Sequence, residues 1–409
     1  MEVTAHGNVE FKIPGQPFQL SHLIGRLPSA DNLHCRSTRR TAQFHRPWRD
    51  HGSLMILVVN AGSSSIKVAL YQPDLTQVMA GQVSGIGGSL AHIKLGEDDR
   101  DIAAPDHDAA LKMILTSLER QGIKPDQLTA AAHRVVHGGT SLVDPQPITD
   151  EVIEGIEAAI PLAPLHNPKN LAGIRALQSL APDLPQYASF GTAFHARQPD
   201  VASAYAIPKE ERAKGIRRYG FHGLSYGWIV TQFGDKLPSR LLALHLGSGA
   251  SLCAIKDGVG VATSMGYSPL DGLTMCTRSG AIDGMAVLRM AEDHGIEAAG
   301  HMLNKESGLK GLGGSNDMRL LLAADTDEAR FAVEHFCYWC ARHAGSAIVA
   351  MGGLDAVAFT GGIGENAAPI RDRIMEHLAL FGEVPVHVVK ADEERQIATD
   401  AARLMKGTT

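Results

Sequence analysis

Cysteine is scarce in this chain, aromatic residues are few, and positive charge is in deficit. The five cysteines are an odd number and show neither a disulfide framework nor the paired spacings of a zinc ribbon, so a reducing cytoplasm is the simplest setting. A formal net charge of −6 lacks the basic excess by which a protein holds nucleic acid, and no nucleic-acid partner is expected. No apolar run approaches the roughly 18–20 residues of a membrane span, so no membrane partner is expected either. The apolar stretch of a secretory signal is missing from the first fifty residues.

What is present fits a globular protein of roughly two domains: 409 residues, 44% hydrophobic and 20% charged. Residues 1–54 differ from the rest, with six arginines, five histidines and no sustained periodicity. They read as a disordered extension, dispensable for activity. Cys337-Tyr-Trp-Cys340 has His335 and His343 nearby, but no second cysteine pair stands near it. The stretch reads as a packed helix over 327–351 and not as a metal site.

The organising pattern lies at 56–71, ILVVNAGSSSIKVALY. An apolar strand meets a turn of small polar residues and returns as a second apolar strand, which predicts a β-hairpin. Small side chains let backbone N–H groups and hydroxyls approach an anion, and Lys67 adds a point charge. The glycine pattern is not that of a Walker P-loop. A second copy occurs at 241–258, LLALHLGSGASLCAIKDG, and a third glycine-rich turn, GGIGENA, lies at 361–367 between a strand and a helix. Two strand–turn–strand loops suggest a duplicated α/β domain closing on a nucleotide between its halves. Helices are predicted over 106–121, 150–159, 169–180, 225–233, 285–294 and 369–380. Strands are predicted at 78–84, 93–95, 129–136, 186–190, 356–360 and 384–389, with a polar helix from about 392 to the end.

With these stretches in view the chain resembles the acetate kinase family, within the actin, sugar-kinase and Hsp70 superfamily. The motifs that carry the resemblance are NAGSSSIK, HRVVHGG, PLAPLHNP, TAFH, RYGFHG, HLGSGAS, TRSG, NDMR, GGIGEN and DEE, in family order from residue 55 almost to the C-terminus. The resemblance implies two RNase H-like domains with a nucleotide cleft between them. The first spans 55–200 with the C-terminal helix 392–409 packing back on it; the second, nucleotide-binding domain spans 201–391. It implies reversible phosphoryl transfer between ATP and acetate, giving acetyl phosphate and ADP, with Mg²⁺ (or Mn²⁺) as cofactor and a homodimer as the assembly.

Residue by residue, the resemblance implies that Arg134 and Arg278 are the two active-site arginines. Planar guanidinium groups suit a carboxylate and a planar phosphoryl group. His222 is implied to contact the transferring group, with His166 lining the same cleft. Val136, Leu165, Phe221 and Pro269 would form the pocket for the substrate's methyl group. ATP would lie against Ser63, Ser65, Lys67, His245, Leu246, Gly247, Ser248, Gly249, Asp317, Met318, Arg319, Gly362, Ile363, Gly364, Glu365 and Asn366. Asn60 and Glu393 would face the metal.

Three positions depart from the family pattern. Gly191 stands where the family's catalytic aspartate is usual, Ser248 where it has asparagine, and Cys276 where it commonly has glycine. Without its carboxylate, position 191 neither holds a metal-bound water nor orients an arginine, so reduced turnover is expected, and Gly191→Asp is expected to raise it. The alternatives are a nucleotide-binding relative that no longer turns over, or a propionate or butyrate kinase.

Overall fold

In the computed structural model, residues 54–62 and 64–407 are described. The extension expected over 1–54, apart from its last residue, and the ATP-loop candidate Ser63 lie outside them.

The strands form two sheets. The first holds β1 (Met55–Ala61), β2 (Ser65–Tyr71), β3 (Gln77–Ser84), β4 (Ala91–Leu95), β5 (Asp98–Ile102), β6 (Leu128–Val135), β7 (Gln146–Pro147) and β8 (Gln186–Phe190), in spatial order 5-4-3-2-1-6-8-7. The second holds β9 (Arg240–Leu246), β10 (Ala250–Lys256), β11 (Val259–Thr263), β12 (Ala356–Thr360) and β13 (Val386–Val388), in order 11-10-9-12-13. Within the first, β3-β2-β1 is an antiparallel meander and β6 and β8 add in parallel. The second repeats that plan: β11-β10-β9 is a meander, then β12 and β13 add in parallel. The duplication read from two loops is thus a duplication of five strands.

Alternation explains why the central strands read as unbroken apolar runs. Met55, Leu57, Val59 and Ala61 pack into the cluster that holds Leu111, Ile114 and Leu177, residues of the helices His107–Arg120 and Asn167–Leu180. Ile56 and Val58 face the opposite way, onto Ile397, Ala398 and Ala401 of the C-terminal helix Glu393–Gly407. A strand covered on both faces has no polar side. In β9, likewise, Leu242, Leu244 and Leu246 meet the long helix Asp327–Met351, while Leu241 and Ala243 meet the helix Gly223–Phe233. Burying a side chain of this size contributes about 1.5–3 kcal/mol, so these two strands anchor their halves.

The long helix starts on Thr326, whose hydroxyl accepts from Ala329 N, and stops at Gly352 in the left-handed region. Cys337 and Cys340 lie on its buried face against the sheet core, as the packed-helix reading requires. One loop differs from its expectation. GGIGEN is a short helix, Gly361–Asn366, because Gly361 at φ +79° turns the chain directly off β12. No helix among the described residues is long and apolar enough to cross a membrane.

Candidate active site

On the first sheet, alternation gives Asn60, Lys67 and Arg134 one common face. Their i−2 or i+2 neighbours Val58, Ala69 and Ala132 pack beneath the C-terminal helix. That helix begins beside them. Asn60 Nδ2 donates to Glu394 Oε1 at 3.3 Å, and Arg134 Nε lies 3.3 Å from Glu393 Oε2, at an angle that leaves Nε without a hydrogen bond. Lys67 is exposed opposite Asn60 in the ladder. Ser65 closes the hairpin turn by accepting on its carbonyl from Gly62 N at 2.7 Å.

The second sheet supplies His245 at the end of β9 and the turn Gly247, Ser248 and Gly249, closed by Gly247 N donating to Gly249 O at 3.0 Å. A Cβ on Gly361 would stand 2.7 Å from the Leu246 carbonyl, so only glycine lets the short helix lie against this turn. Within that helix Glu365 accepts from Gly361 N at 3.1 Å and from Ala391 N at 2.9 Å. Asn366 Nδ2 donates to Gly362 O at 2.9 Å. Leu246 and Gly364 are buried, Ile363 packs on the core, and Met318 is inside it; each offers a nucleotide its backbone only. Asp317 caps the helix Met318–Ala323 and binds the Arg319 guanidinium at 2.6 Å. Hydrogen bonds from Arg319, side chain first, hold its carboxyl down to about 2.

The remaining candidates come from strand ends and from segments between elements: His245 from β9, His222 just before the helix Gly223–Phe233, and Arg278 between β11 and the helix Gly284–His294. His222 and His245 are stacked with ring centroids 4.2 Å apart. His222 Nδ1 is 2.8 Å from Ser251 Oγ, and His245 Nδ1 is 2.8 Å from Ser225 Oγ. Burial above all keeps His222 uncharged, and His245, Arg134 and Arg278 add to the effect. His166, at the start of the helix Asn167–Leu180, is likewise lowered by burial and then by Arg134, Arg278 and Lys305. Two guanidinium groups, Arg134 on β6 and Arg278 in the segment between β11 and the helix Gly284–His294, therefore bear on the same two histidines. A Cβ built on Gly249 would lie 3.2 Å from His222 Nε2 and 3.3 Å from Arg278 Nη1. The bare glycine leaves open a point within reach of both.

Val136 and Phe221 pack in one apolar cluster beside Met275 and Leu309. Leu165, at 70% exposure, and the half-buried Pro269 are not in it. Among the described residues no three His, Cys, Asp or Glu side chains gather as a metal cage. Asn60 and Arg134, on adjacent strands, meet Glu394 and Glu393 where the C-terminal helix begins, and carboxylate oxygens so placed fit an ion that takes one or two protein ligands and fills its shell from phosphate and water.

A family model described as the acetokinase family matches residues 55–405. An acetate kinase of Methylocella silvestris is 42% identical over 359 residues, covering 81% of this chain and 88% of its own. The crystal structure of Porphyromonas gingivalis acetate kinase superposes with a TM-score of 0.82 at 33% identity, covering 86% of this chain and all of that one. A propionate kinase from Francisella tularensis gives 0.80 at 35% identity, covering 85% and 98%. The chain belongs to the acetokinase family.

For an acetokinase, two of its departures have structural consequences. Gly191 follows β8; its N–H donates to Val135 O at 2.8 Å and its carbonyl accepts from Gly223 N at 2.9 Å. A Cβ there would stand 2.9 Å from the Val136 carbonyl, so the backbone has closed over the position where a side chain would emerge. Cys276 directs its thiol to Gly247 O at 3.6 Å while its N–H donates to Ser248 O at 3.3 Å. It links the Arg278 segment to the second phosphate-type turn. The reading of the sequence passed over Glu394, Ser225, Tyr226 and Ser251. Glu394 was visible in the DEE motif; the others read as ordinary small or core residues, and only their contacts single them out.

Proposed function

We propose that this acetokinase catalyses reversible transfer of the γ-phosphoryl group of ATP to acetate, giving acetyl phosphate and ADP, and that it does so with Mg²⁺. The observation that carries the reading is the point in front of Gly249 that His222 Nε2 and Arg278 Nη1 both border, with Arg134 beside Glu393 on the first sheet. Phosphoryl transfer asks for alignment of the two substrates and for positive charge on the transferring group, and for little covalent chemistry from the protein. In this reading Arg134 holds the acetate carboxylate, Arg278 the phosphoryl oxygens, and His222 donates to the group in transit. Val136 and Phe221 receive the methyl group, and Leu165 and Pro269 complete its pocket when the halves, 55–200 and 201–391, approach. Such a pocket discriminates by about 1–3 kcal/mol per methylene, which makes propionate a secondary substrate.

Lys67, Ser63 and Ser65 serve the phosphates from one side, and His245 to Gly249 from the other. Asp317 to Arg319 and Gly362 to Asn366 hold the nucleoside end. Asn60 and Glu393, with Glu394 beside them, hold the metal, which when bound neutralises charge on the phosphate oxygens. We place the enzyme in the cytoplasm as a homodimer.

The test is acetyl phosphate formation from acetate and MgATP, trapped as the hydroxamate, with Arg278→Ala alongside. Turnover by the wild-type chain that falls about 10²–10³-fold in the variant, with ATP still binding within a few-fold by calorimetry, is the expected result. ATP binding without product from the wild type would instead favour a silent nucleotide-binding relative.

A further inference from the structure

We propose that Tyr226 and Ser251 are positioning residues that fix His222 in the tautomer carrying its proton on Nε2, so that this nitrogen is a standing donor at the point of transfer. The inference deepens the function proposed above and rests on it for what His222 touches, but the tautomer itself does not depend on it.

The direction of the protons follows from counting donors. Tyr226 is fully buried, away from solvent that could take up its phenol proton. Its own proton needs an acceptor, and Ser251 Oγ lies 2.5 Å away. Ser251 is also fully buried; having accepted from the phenol, it directs its hydroxyl proton to its other side-chain neighbour, His222 Nδ1, at 2.8 Å. A neutral imidazole that accepts on Nδ1 carries its hydrogen on Nε2. That atom faces the open point in front of Gly249, beside Arg278 Nη1. The relay therefore runs Tyr226 O–H, Ser251 O–H, His222 Nδ1, and ends in a donor aimed where phosphoryl charge collects.

The backbone supports this. His222 sits in the left-handed region at φ 56°, a conformation that costs a non-glycine residue about 1–2 kcal/mol. The chain accepts that strain immediately before the helix Gly223–Phe233, which places Tyr226 one turn below the imidazole. A donor held ready in this way needs no reorganisation when charge develops, which is where fixed dipoles gain their advantage over water.

The experiment is nitrogen-15 NMR of the full chain labelled on histidine, combined with the hydroxamate assay. Between pH 6 and 8, His222 is expected as the neutral Nε2–H tautomer in the wild type. In Ser251→Ala it is expected as a mixture, with turnover down about tenfold and ATP affinity within twofold of the wild type. Ser251→Thr, which keeps the hydroxyl, should restore both signals. Tyr226→Phe, which leaves Ser251 in place but removes its donor, should also mix the tautomers and guards against an alanine variant that does not fold. A wild-type His222 protonated on Nδ1, or an unchanged tautomer in both Ser251→Ala and Tyr226→Phe, would overturn the proposal. A correct tautomer in a chain without turnover would locate the failure in the proposed reaction and leave the relay standing.

Discussion

Gly191 and Gly223 touch through their backbones at the junction of β8 and the helix Gly223–Phe233. Each would place a Cβ against a carbonyl, Gly191 at 2.9 Å from Val136 O and Gly223 at 2.5 Å from Gly191 O. The expectation from sequence, that Gly191→Asp raises turnover, treats the position as a vacant socket. The geometry says the socket has been taken up by the main chain. We therefore predict that Gly191→Asp destabilises the fold by about 1–3 kcal/mol, the usual cost of overpacking, without raising turnover. Urea denaturation and the hydroxamate assay on the same preparation check both halves of that statement. The candidate residues could be named from the sequence because the motifs are contiguous: Arg134, His222 and Arg278 sit in the short runs that carry the family resemblance. The room around a glycine was not, since it depends on a carbonyl from the segment after β6, more than fifty residues earlier in the chain.

The helix Gly284–His294 stands with open surroundings. It is capped by Asp283, whose carboxylate accepts from Met285 N and Ala286 N, and none of its residues is buried. Met285 is 71% exposed and Leu288 56%, with Ile296 at 82% just beyond. Met285 and Leu288, three residues apart on one helix, form an exposed apolar pair of the kind found at protein–protein contacts, and we predict that in the proposed homodimer this helix meets the second copy. Replacing Met285 and Leu288 together by glutamate is expected to halve the mass seen in sedimentation velocity; an unaltered dimer would move the interface elsewhere. Element positions were read well where packing on both faces makes a long apolar pattern: β8, β12 and the helix Asp327–Met351 fall where expected. They were missed where pairing alone makes the strand. β5, sequence DDRDI, is held by its ladder to β4, and no local preference of its residues announces it. GGIGEN misled because three glycines suggest a turn, whereas its helix is held by Glu365, which accepts from Gly361 N within it and from Ala391 N beyond it, and by its close approach to the Leu246 carbonyl.

Across the whole molecule, three buried histidines set a limit on acid tolerance. Burial pushes His133, His137 and His195 each down to about 4 from an ordinary 6.5. The unfolded chain binds protons at these groups where the folded one does not. Stability is therefore fully present above pH 6.5 and declines as pH falls from 6.5 towards 4, by up to about 3 kcal/mol for each group. Thermal unfolding is expected to show a Tm that is level from pH 7 to 8 and drops steeply below 6. A His137→Gln variant should soften the drop, and a Tm flat down to pH 5 would contradict the assignment.

The C-terminal helix lends itself to a different kind of statement. It covers Ile56 and Val58 of β1, accepts on Asp400 from Ser189 of β8, and accepts on Gln396 from Thr231 of the helix Gly223–Phe233. The last fifteen described residues thus finish a sheet whose first strand left the ribosome some 340 residues earlier. At about 5–20 residues per second, β1 waits roughly twenty seconds to a minute with one face bare during synthesis. A truncated message or a stalled ribosome would release a chain whose first strand is covered on one face only, and apolar surface left bare in this way makes a product prone to aggregate before it ever meets a nucleotide.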